Sequence, residues 1–280
     1  MSKTNKNLIY IKLGGSLITN KDTESTSRVR VIKNLASEIA DFKSEHKSTN
    51  IIIGHGAGSY GHIQALRNNL HICRHTASRW NGALEVAKSV SKLSRIVLHE
   101  LQQAGVQSKQ INPSESAICN NGKLMSLDTT QIKQALHRNI IPLTHGDVCF
   151  DDVCGASIIS TEAIFAYLAT KLPPSDIYIA GNAKGVLDSY PNGNTIPKIS
   201  NSSKRRLLNL ISTSTSPDIT GGMKSKVHTM LQLIKQQPGL TVHIFSAKTP
   251  GALRKALAGS TSNTTILSDN HTRSLSQSSL

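Results

Sequence analysis

The sequence predicts an α/β fold: an open αβα sandwich on a mostly parallel sheet, divided into two lobes. Three observations predict it. Short runs of β-branched and aliphatic residues alternate with stretches of helical spacing along nearly the whole chain. Successive runs are separated by enough residues for right-handed crossovers between parallel strands. Two of the runs feed straight into glycine-rich turns, the arrangement with which α/β proteins hold phosphates.

Residues 8–11 read as the first strand, and Lys12, Gly14, Gly15 and Ser16 follow at its end. Val31, Leu35, Ile39 and Phe42 recur at helical spacing and put a helix over 29–42. Residues 51–53, three isoleucines, read as a second buried strand, which runs through Gly54, Gly56, Gly58 and Gly61 to His62. Glycine lets backbone N–H groups face a ligand with no Cβ in the way. Two such loops in one domain suggest two phosphates brought together. After His62 the spacing is helical for a long way, through Val86, Val90, Leu93, Val97, Leu101 and Ala104, with Gly105 where a helix would stop. A modest strand over 106–111, a tight turn at Asn121-Gly122 and a short helix over 129–136 come next. A strand over 140–143 ends at His145-Gly146-Asp147, and 149–159 reads as a β-hairpin returning to the site.

Residues 160–172 read as a helix closed by Pro173-Pro174, the lobe boundary. Beyond it come a strand over 177–180, a loop over 191–195 and a helix over 204–211. Residues 218–226 form a glycine-containing segment opening a helix that carries Val227, Met230, Leu231 and Ile234. A strand over 242–245, a short helix over 252–258 and a last edge strand over 264–267 complete the alternation. The polar, serine-rich stretch 268–280 is expected to be disordered. The organisation is therefore an N-terminal lobe over 8–172, a C-terminal lobe over 173–267 and a tail over 268–280.

Composition narrows the partners. The 280 residues carry a net charge of +15, which favours anionic ligands. Aromatic content of 4% leaves few stacking surfaces for single-stranded nucleic acid, and no run of five basic residues exists, so no nucleic-acid partner is expected. Cys73, Cys119, Cys149 and Cys154 form no CxxC pair and are expected as buried free thiols in a reducing compartment. His71, Cys73 and His75 alternate without a second ligand pair, so no metal site is expected from them. The N-terminus lacks an apolar core of signal-peptide type and no stretch approaches a membrane span; a cytoplasmic protein with no membrane partner is expected.

Two segments carry the chemistry most directly. Lys12 faces the same way as Gly14 along a strand and can reach phosphates held by the Gly14-Gly15 backbone. Thr220, Gly221 and Gly222 precede Lys224 and Lys226 at a helix N-terminus, where unpaired N–H groups favour anions. A phosphoryl-transfer transition state requires such positioning and charge neutralisation.

The segments KLGGSLITNK (12–21), GHGAGSYGH (54–62), GDV (146–148) and DITGGMKSK (218–226) resemble those of the amino acid kinase superfamily, in particular its isopentenyl phosphate kinase branch. The resemblance spans residues 8–267, and the histidine closing the second loop points to this branch or to its relative, fosfomycin kinase. It implies an N-terminal lobe that binds a phosphate acceptor and a C-terminal lobe that binds ATP. It implies that Lys12 and Lys21 contact the transferring phosphoryl group, with Gly14, Gly15 and Ser16 holding ATP phosphates. Ala57, Gly58 and Gly61 would cradle the acceptor phosphate, with His62 donating a hydrogen bond to it and Gly146 and Asp147 lining the acceptor site. Thr220, Gly221 and Lys226 would bind the β- and γ-phosphates.

Two departures stand out. Ser160-Thr161-Glu162 replaces the family's Ser-Gly-Asp, so Glu162 stands for the aspartate that orients the catalytic lysines. The usual acidic turn by the nucleotide is here Gly181-Asn182-Ala183-Lys184-Gly185, which puts Asn182 and Lys184 there. The implied cofactors are ATP and Mg²⁺, with no protein metal ligand identified. The implied activity is transfer of the ATP γ-phosphoryl group to isopentenyl phosphate, giving isopentenyl diphosphate for isoprenoid biosynthesis. The superfamily often dimerises through the N-terminal lobe; the sequence itself does not give the oligomeric state. Two alternatives stay open. A phosphonate acceptor is one, because 63–80 mixes Ile63, Leu66, Leu70 and Trp80 with Arg67, Asn68, Asn69 and Arg74. A nucleotide-binding protein without turnover is the other, because of Glu162 and Asn182.

Overall fold

The computed structural model describes residues 7–73, 79–189, 192–203, 222–260 and 264–269. In chain order, β1 (Leu8–Leu13), α1 (Gly15–Ile18), α2 (Val29–Glu45), β2 (Asn50–His55), α3 (Gly58–Arg67) and α4 (Arg79–Gln103) come first. Next are β3 (Ser108–Gln110), a 3₁₀ turn (Pro113–Glu115), β4 (Ile118–Asn120), β5 (Lys123–Ser126) and α5 (Thr130–His137). They are followed by β6 (Ile141–His145), β7 (Asp147–Asp151), β8 (Gly155–Ile159) and α6 (Thr161–Lys171). The remainder holds β9 (Asp176–Gly181), β10 (Lys198–Ile199), α7 (Gly222–Gln236), β11 (Thr241–Ser246), α8 (Ala252–Leu257) and β12 (Thr264–Ile266).

An eight-stranded sheet in the order β10-β12-β11-β9-β1-β2-β6-β3 forms the middle layer. From β11 to β3 every neighbouring pair is parallel. The strands alternate faces with period two and so feed two cores. Ile9, Ile11, Leu13, Ile51 and Ile53 pack with Leu35 and Ile39 of α2, Leu93 and Val97 of α4 and Leu253 of α8. Tyr10, Ile52, Ile177 and Ile179 pack on the opposite face with Ile132 of α5, Phe165 and Leu168 of α6 and Leu231 of α7. The predicted αβα sandwich is therefore the observed architecture. A second sheet, β5-β4-β7-β8, projects beside it. A smaller apolar cluster of Ala65, Leu70, Ala83, Val86, Val90, Val148 and Ala156 joins that sheet to α3 and α4.

Several expectations are corrected. The helical stretch after His62 is two helices, separated after Arg67 where Asn69 takes φ +51°. The strand over 264–267 is internal: β12 lies between β11 and β10, antiparallel to the former. Ser268 is buried and donates to the Pro238 carbonyl at 2.7 Å, so the tail does not begin there. Of the four cysteines expected as free thiols, Cys73 and Cys154 form a disulfide, with Cα atoms 5.0 Å apart, while Cys119 and Cys149 are free and buried. Chain separation hid the pair: Cys73 follows α3 and Cys154 sits at the β7–β8 tip, 81 residues later. The helix expected over 204–211 and the tail from 270 onward lie outside the described residues. Among the described residues no helix is long and apolar enough to cross a membrane.

Candidate active site

The parallel strands β1, β2, β6, β9 and β11 all end at one edge of the sheet, and the sequence-selected residues follow those ends. After β1, the Gly14 N–H donates to the Ala180 carbonyl of β9 at 2.8 Å, and the Gly56 N–H donates to the Leu13 carbonyl at 2.9 Å. The two glycine turns stack backbone on backbone. A Cβ at Gly56 would stand 2.7 Å from the Gly15 nitrogen, and one at Gly15 would run into the Gly58 backbone. Gly58 also takes φ +53° at the start of α3, a conformation that disfavours a side chain.

Other glycines serve packing. A Cβ at Gly54 would stand 2.6 Å from the Thr161 methyl and 2.7 Å from the Phe165 ring, so this glycine lets α6 approach β2. Gly61 is buried on α3, where a Cβ would meet Ala57 and the Val90 side chain of α4.

Thr19, fully buried after α1, joins the two turns. Its hydroxyl donates to the Gly15 carbonyl at 2.8 Å and accepts from the Ser59 N–H at 3.0 Å. Thr161 does similar work for α6: its hydroxyl donates to the His55 carbonyl at 2.7 Å, which also receives the Gly146 N–H at 3.1 Å. Neither threonine was singled out as a site residue from sequence. The Thr19 signal was its position four residues after Gly15, the spacing at which a threonine bonds back to a helical carbonyl.

Lys12 and Glu162 form a buried ion pair, with side chains 6% and 4% exposed. The Ser160 hydroxyl caps α6 by accepting the Ala163 N–H at 3.1 Å, so Glu162 lies in the first turn, where a helix favours negative charge. Burial pushes the Glu162 carboxyl upward, but the Lys12 ammonium, and then that of Lys226 on α7, override it and hold the carboxyl below its ordinary range. Glu162 is therefore an ionised carboxylate paired with Lys12 and within electrostatic reach of Lys226.

His55 ends β2, completely buried. Its Nδ1 lies 3.1 Å from the Gly56 carbonyl and its Nε2 2.6 Å from the Ser94 hydroxyl of α4. A carbonyl can only accept, so Nδ1 carries the proton and Ser94 donates to Nε2 in the neutral ring. Burial, reinforced by His145 across a 5.3 Å ring separation, pulls the His55 pKa down to about 3. Asp147 is buried too: its carboxylate accepts the Ser114 N–H at 3.0 Å and the Val148 N–H at 2.9 Å, and so ties the loop before β4 to the start of β7.

The remaining predicted residues are spread around this centre. Ser16 is half-buried, and its carbonyl accepts the Asn182 side-chain amide at 2.7 Å, which ties the end of β9 to the first glycine turn. Lys184 is exposed beyond it. His62 lies half-buried on α3, four residues beyond Gly58, and Ala57 immediately precedes that helix. Lys21 is exposed in the loop between the paired Thr19 and Ser27, outside the buried cluster. Thr220 and Gly221 lie outside the described residues, whereas Gly222 begins α7 and Lys226 follows, half-buried.

The chain matches the model of the amino acid kinase family over residues 7–246. It is 31% identical over 267 residues to the isopentenyl phosphate kinase of Methanocaldococcus jannaschii, covering 92% of this chain and 98% of that one. It is 26% identical over 280 residues to the isopentenyl phosphate kinase of Methanothermobacter thermautotrophicus, covering 94% and 100%. A crystal structure of an isopentenyl phosphate kinase superposes with a TM-score of 0.79 at 26% identity, over 93% of this chain and all of that one. With the glycine turns stacked and a lysine–carboxylate pair buried at their base, this chain belongs to the amino acid kinase family, among relatives that are isopentenyl phosphate kinases.

Proposed function

We propose that the protein is an ATP-dependent kinase that phosphorylates isopentenyl phosphate to isopentenyl diphosphate. The observation that carries this reading is the stacking of the two glycine turns, with the Lys12–Glu162 pair at the end of β1. One turn holds ATP phosphates through Gly14, Gly15 and Ser16, with Lys226 as a further phosphate contact and Asn182 and Lys184 nearby; Thr220 and Gly221, which the resemblance assigns to the β- and γ-phosphates, lie outside the described residues. The other turn holds the acceptor phosphate through Ala57, Gly58 and His62. Gly146 borders the acceptor site, whereas Asp147 and Gly61 support its walls. Strands before Pro173 supply the acceptor side and those after it most of the nucleotide side.

In the transfer, an acceptor phosphate oxygen forms a bond to the γ-phosphorus, the bond from that phosphorus to the β–γ bridging oxygen breaks, and ADP leaves. A phosphate monoester is already largely ionised at neutral pH, so it needs no general base. Glu162, paired and held ionised, orients Lys12 instead, and Lys12 offsets the charge that spreads over the transferring group.

The family implies Mg²⁺. Among the described residues no group of three or more His, Cys, Asp or Glu gathers to hold a metal, and Glu162 is engaged by Lys12. These residues do not make a metal cage, so the ion is taken to enter with ATP on its phosphates. The relatives named isopentenyl phosphate kinase favour a prenyl phosphate over a phosphonate antibiotic as acceptor.

The test is ADP release from ATP with Mg²⁺ and isopentenyl phosphate, dimethylallyl phosphate or fosfomycin in turn. Turnover is expected with the prenyl phosphates. Turnover with fosfomycin alone, or ATP binding without turnover on any acceptor, would overturn the reading.

A further inference from the structure

We propose that Thr19 is a positioning residue for phosphoryl transfer, setting the spacing between the donor and acceptor phosphate turns. The inference rests on the kinase reading above. Thr19 is completely buried, and its one hydroxyl bonds to both turns: it donates to the Gly15 carbonyl at 2.8 Å and accepts the Ser59 N–H at 3.0 Å. Gly15 belongs to the turn after β1, and Ser59 to the first turn of α3, where the second glycine turn becomes helix. The absence of a side chain on Gly58 makes room for that hydroxyl.

The contact has two consequences. The Ser59 N–H is committed to Thr19, which leaves the acceptor phosphate to its neighbours. The first turn of α3 is also pinned to the donor turn through a single oxygen, so the acceptor phosphate cannot drift relative to ATP without stretching one of two hydrogen bonds. In-line transfer requires the attacking oxygen close to the γ-phosphorus, and a misplacement of about 1 Å costs roughly 100-fold in rate. Each turn retains its own backbone cradle without Thr19, so each ligand should still bind.

The experiment uses the full-length protein with Thr19→Val, which keeps the shape and removes the hydroxyl, and Thr19→Ser, which keeps the hydroxyl. Affinity for ATP alone and for isopentenyl phosphate alone is measured by calorimetry, single-turnover rate by rapid quench, and folding by thermal melting. T19V is expected to bind each ligand within about 3-fold of the wild type while its single-turnover rate falls at least about 10-fold; T19S is expected to stay within about 3-fold throughout. If T19V does not melt cooperatively, Thr19→Ala takes its place.

A hydroxyl-free variant that transfers at the wild-type rate overturns the proposal. So does one whose loss lies entirely in the affinity for one ligand, or a T19S that falls as far as T19V. Those outcomes leave the kinase reading intact, because the wild type turns over in each. A wild type that turns over no acceptor overturns the kinase reading and this proposal together.

Discussion

Glu162 carries one methylene more than an aspartate, and it reaches Lys12 from the capped first turn of α6. Replacing it by Gln would leave the Lys12 ammonium buried without its carboxylate. Breaking a buried pair in this way costs about 3–5 kcal/mol. Glu162→Gln should therefore lower kcat by at least about 10-fold and shift the urea midpoint downward. Wild-type kcat and stability in E162Q would show the pair to be incidental. His55 makes a separate prediction. Its pKa falls from 6.5 to about 3 on folding, because burial and His145 oppose the charged ring. At pH values between these two, the unfolded chain takes up a proton that the folded one refuses. The contribution is therefore neutral above pH 6.5 and destabilises progressively as pH falls toward 3, at about 1.4 kcal/mol per pH unit. His55→Gln should flatten the slope of stability against pH in that window, as read by urea unfolding; an unchanged slope would exclude His55 as its source.

The helices α3 and α4 and the hairpins of the second sheet are tied by polar groups that local sequence patterns do not reveal. At the start of α4, the buried Arg79 guanidinium donates to the carbonyls of Leu70 at 3.0 Å, Ile72 at 2.6 Å and Ala156 at 2.7 Å. Asp151 closes both β-hairpins by accepting the N–H groups of Asn121, Gly122, Val153 and Cys154 and the Ser157 hydroxyl. The Asn121-Gly122 turn was legible because two residues at positive φ, +48° and +75°, have a local signature. Arg79 and the Cys73–Cys154 bond were not, because their partners are distant in sequence. The bond fastens the α3–α4 connection to the β7–β8 tip and closes a long loop, for which chain entropy gives an upper value of about 4.5 kcal/mol. Reduction, or Cys154→Ser, should lower the unfolding midpoint and raise KM for the acceptor while KM for ATP holds. Equal melting with and without dithiothreitol would argue that the tie adds nothing.

At the scale of the molecule, the sequence was most informative where strand periodicity and glycine turns coincide. Residues 8–16 and 51–62 were legible as buried strands closed by glycines, and they are β1 and β2 with the two turns that stack on one another. It was least informative at the far side of the sheet, where two-residue β10 has no periodicity and yet displaces β12 from the edge. It was also silent on why each glycine is needed: Gly15 for the close approach of turn to turn, Gly54 for α6. The charge is a property of the whole chain, and it carries a prediction of its own. The chain carries a net charge of +15, and both proposed substrates are anionic. Long-range attraction raises encounter rates and is screened beyond about 8 Å at physiological ionic strength, whereas a buried pair such as Lys12–Glu162 is screened much less. Raising ionic strength should therefore lower kcat/KM for ATP and for the acceptor alike while leaving kcat nearly unchanged. Steady-state kinetics in potassium chloride from low to high concentration would test this. A fall in kcat with constant kcat/KM would put the salt effect in the site itself and remove any steering role for the surface charge.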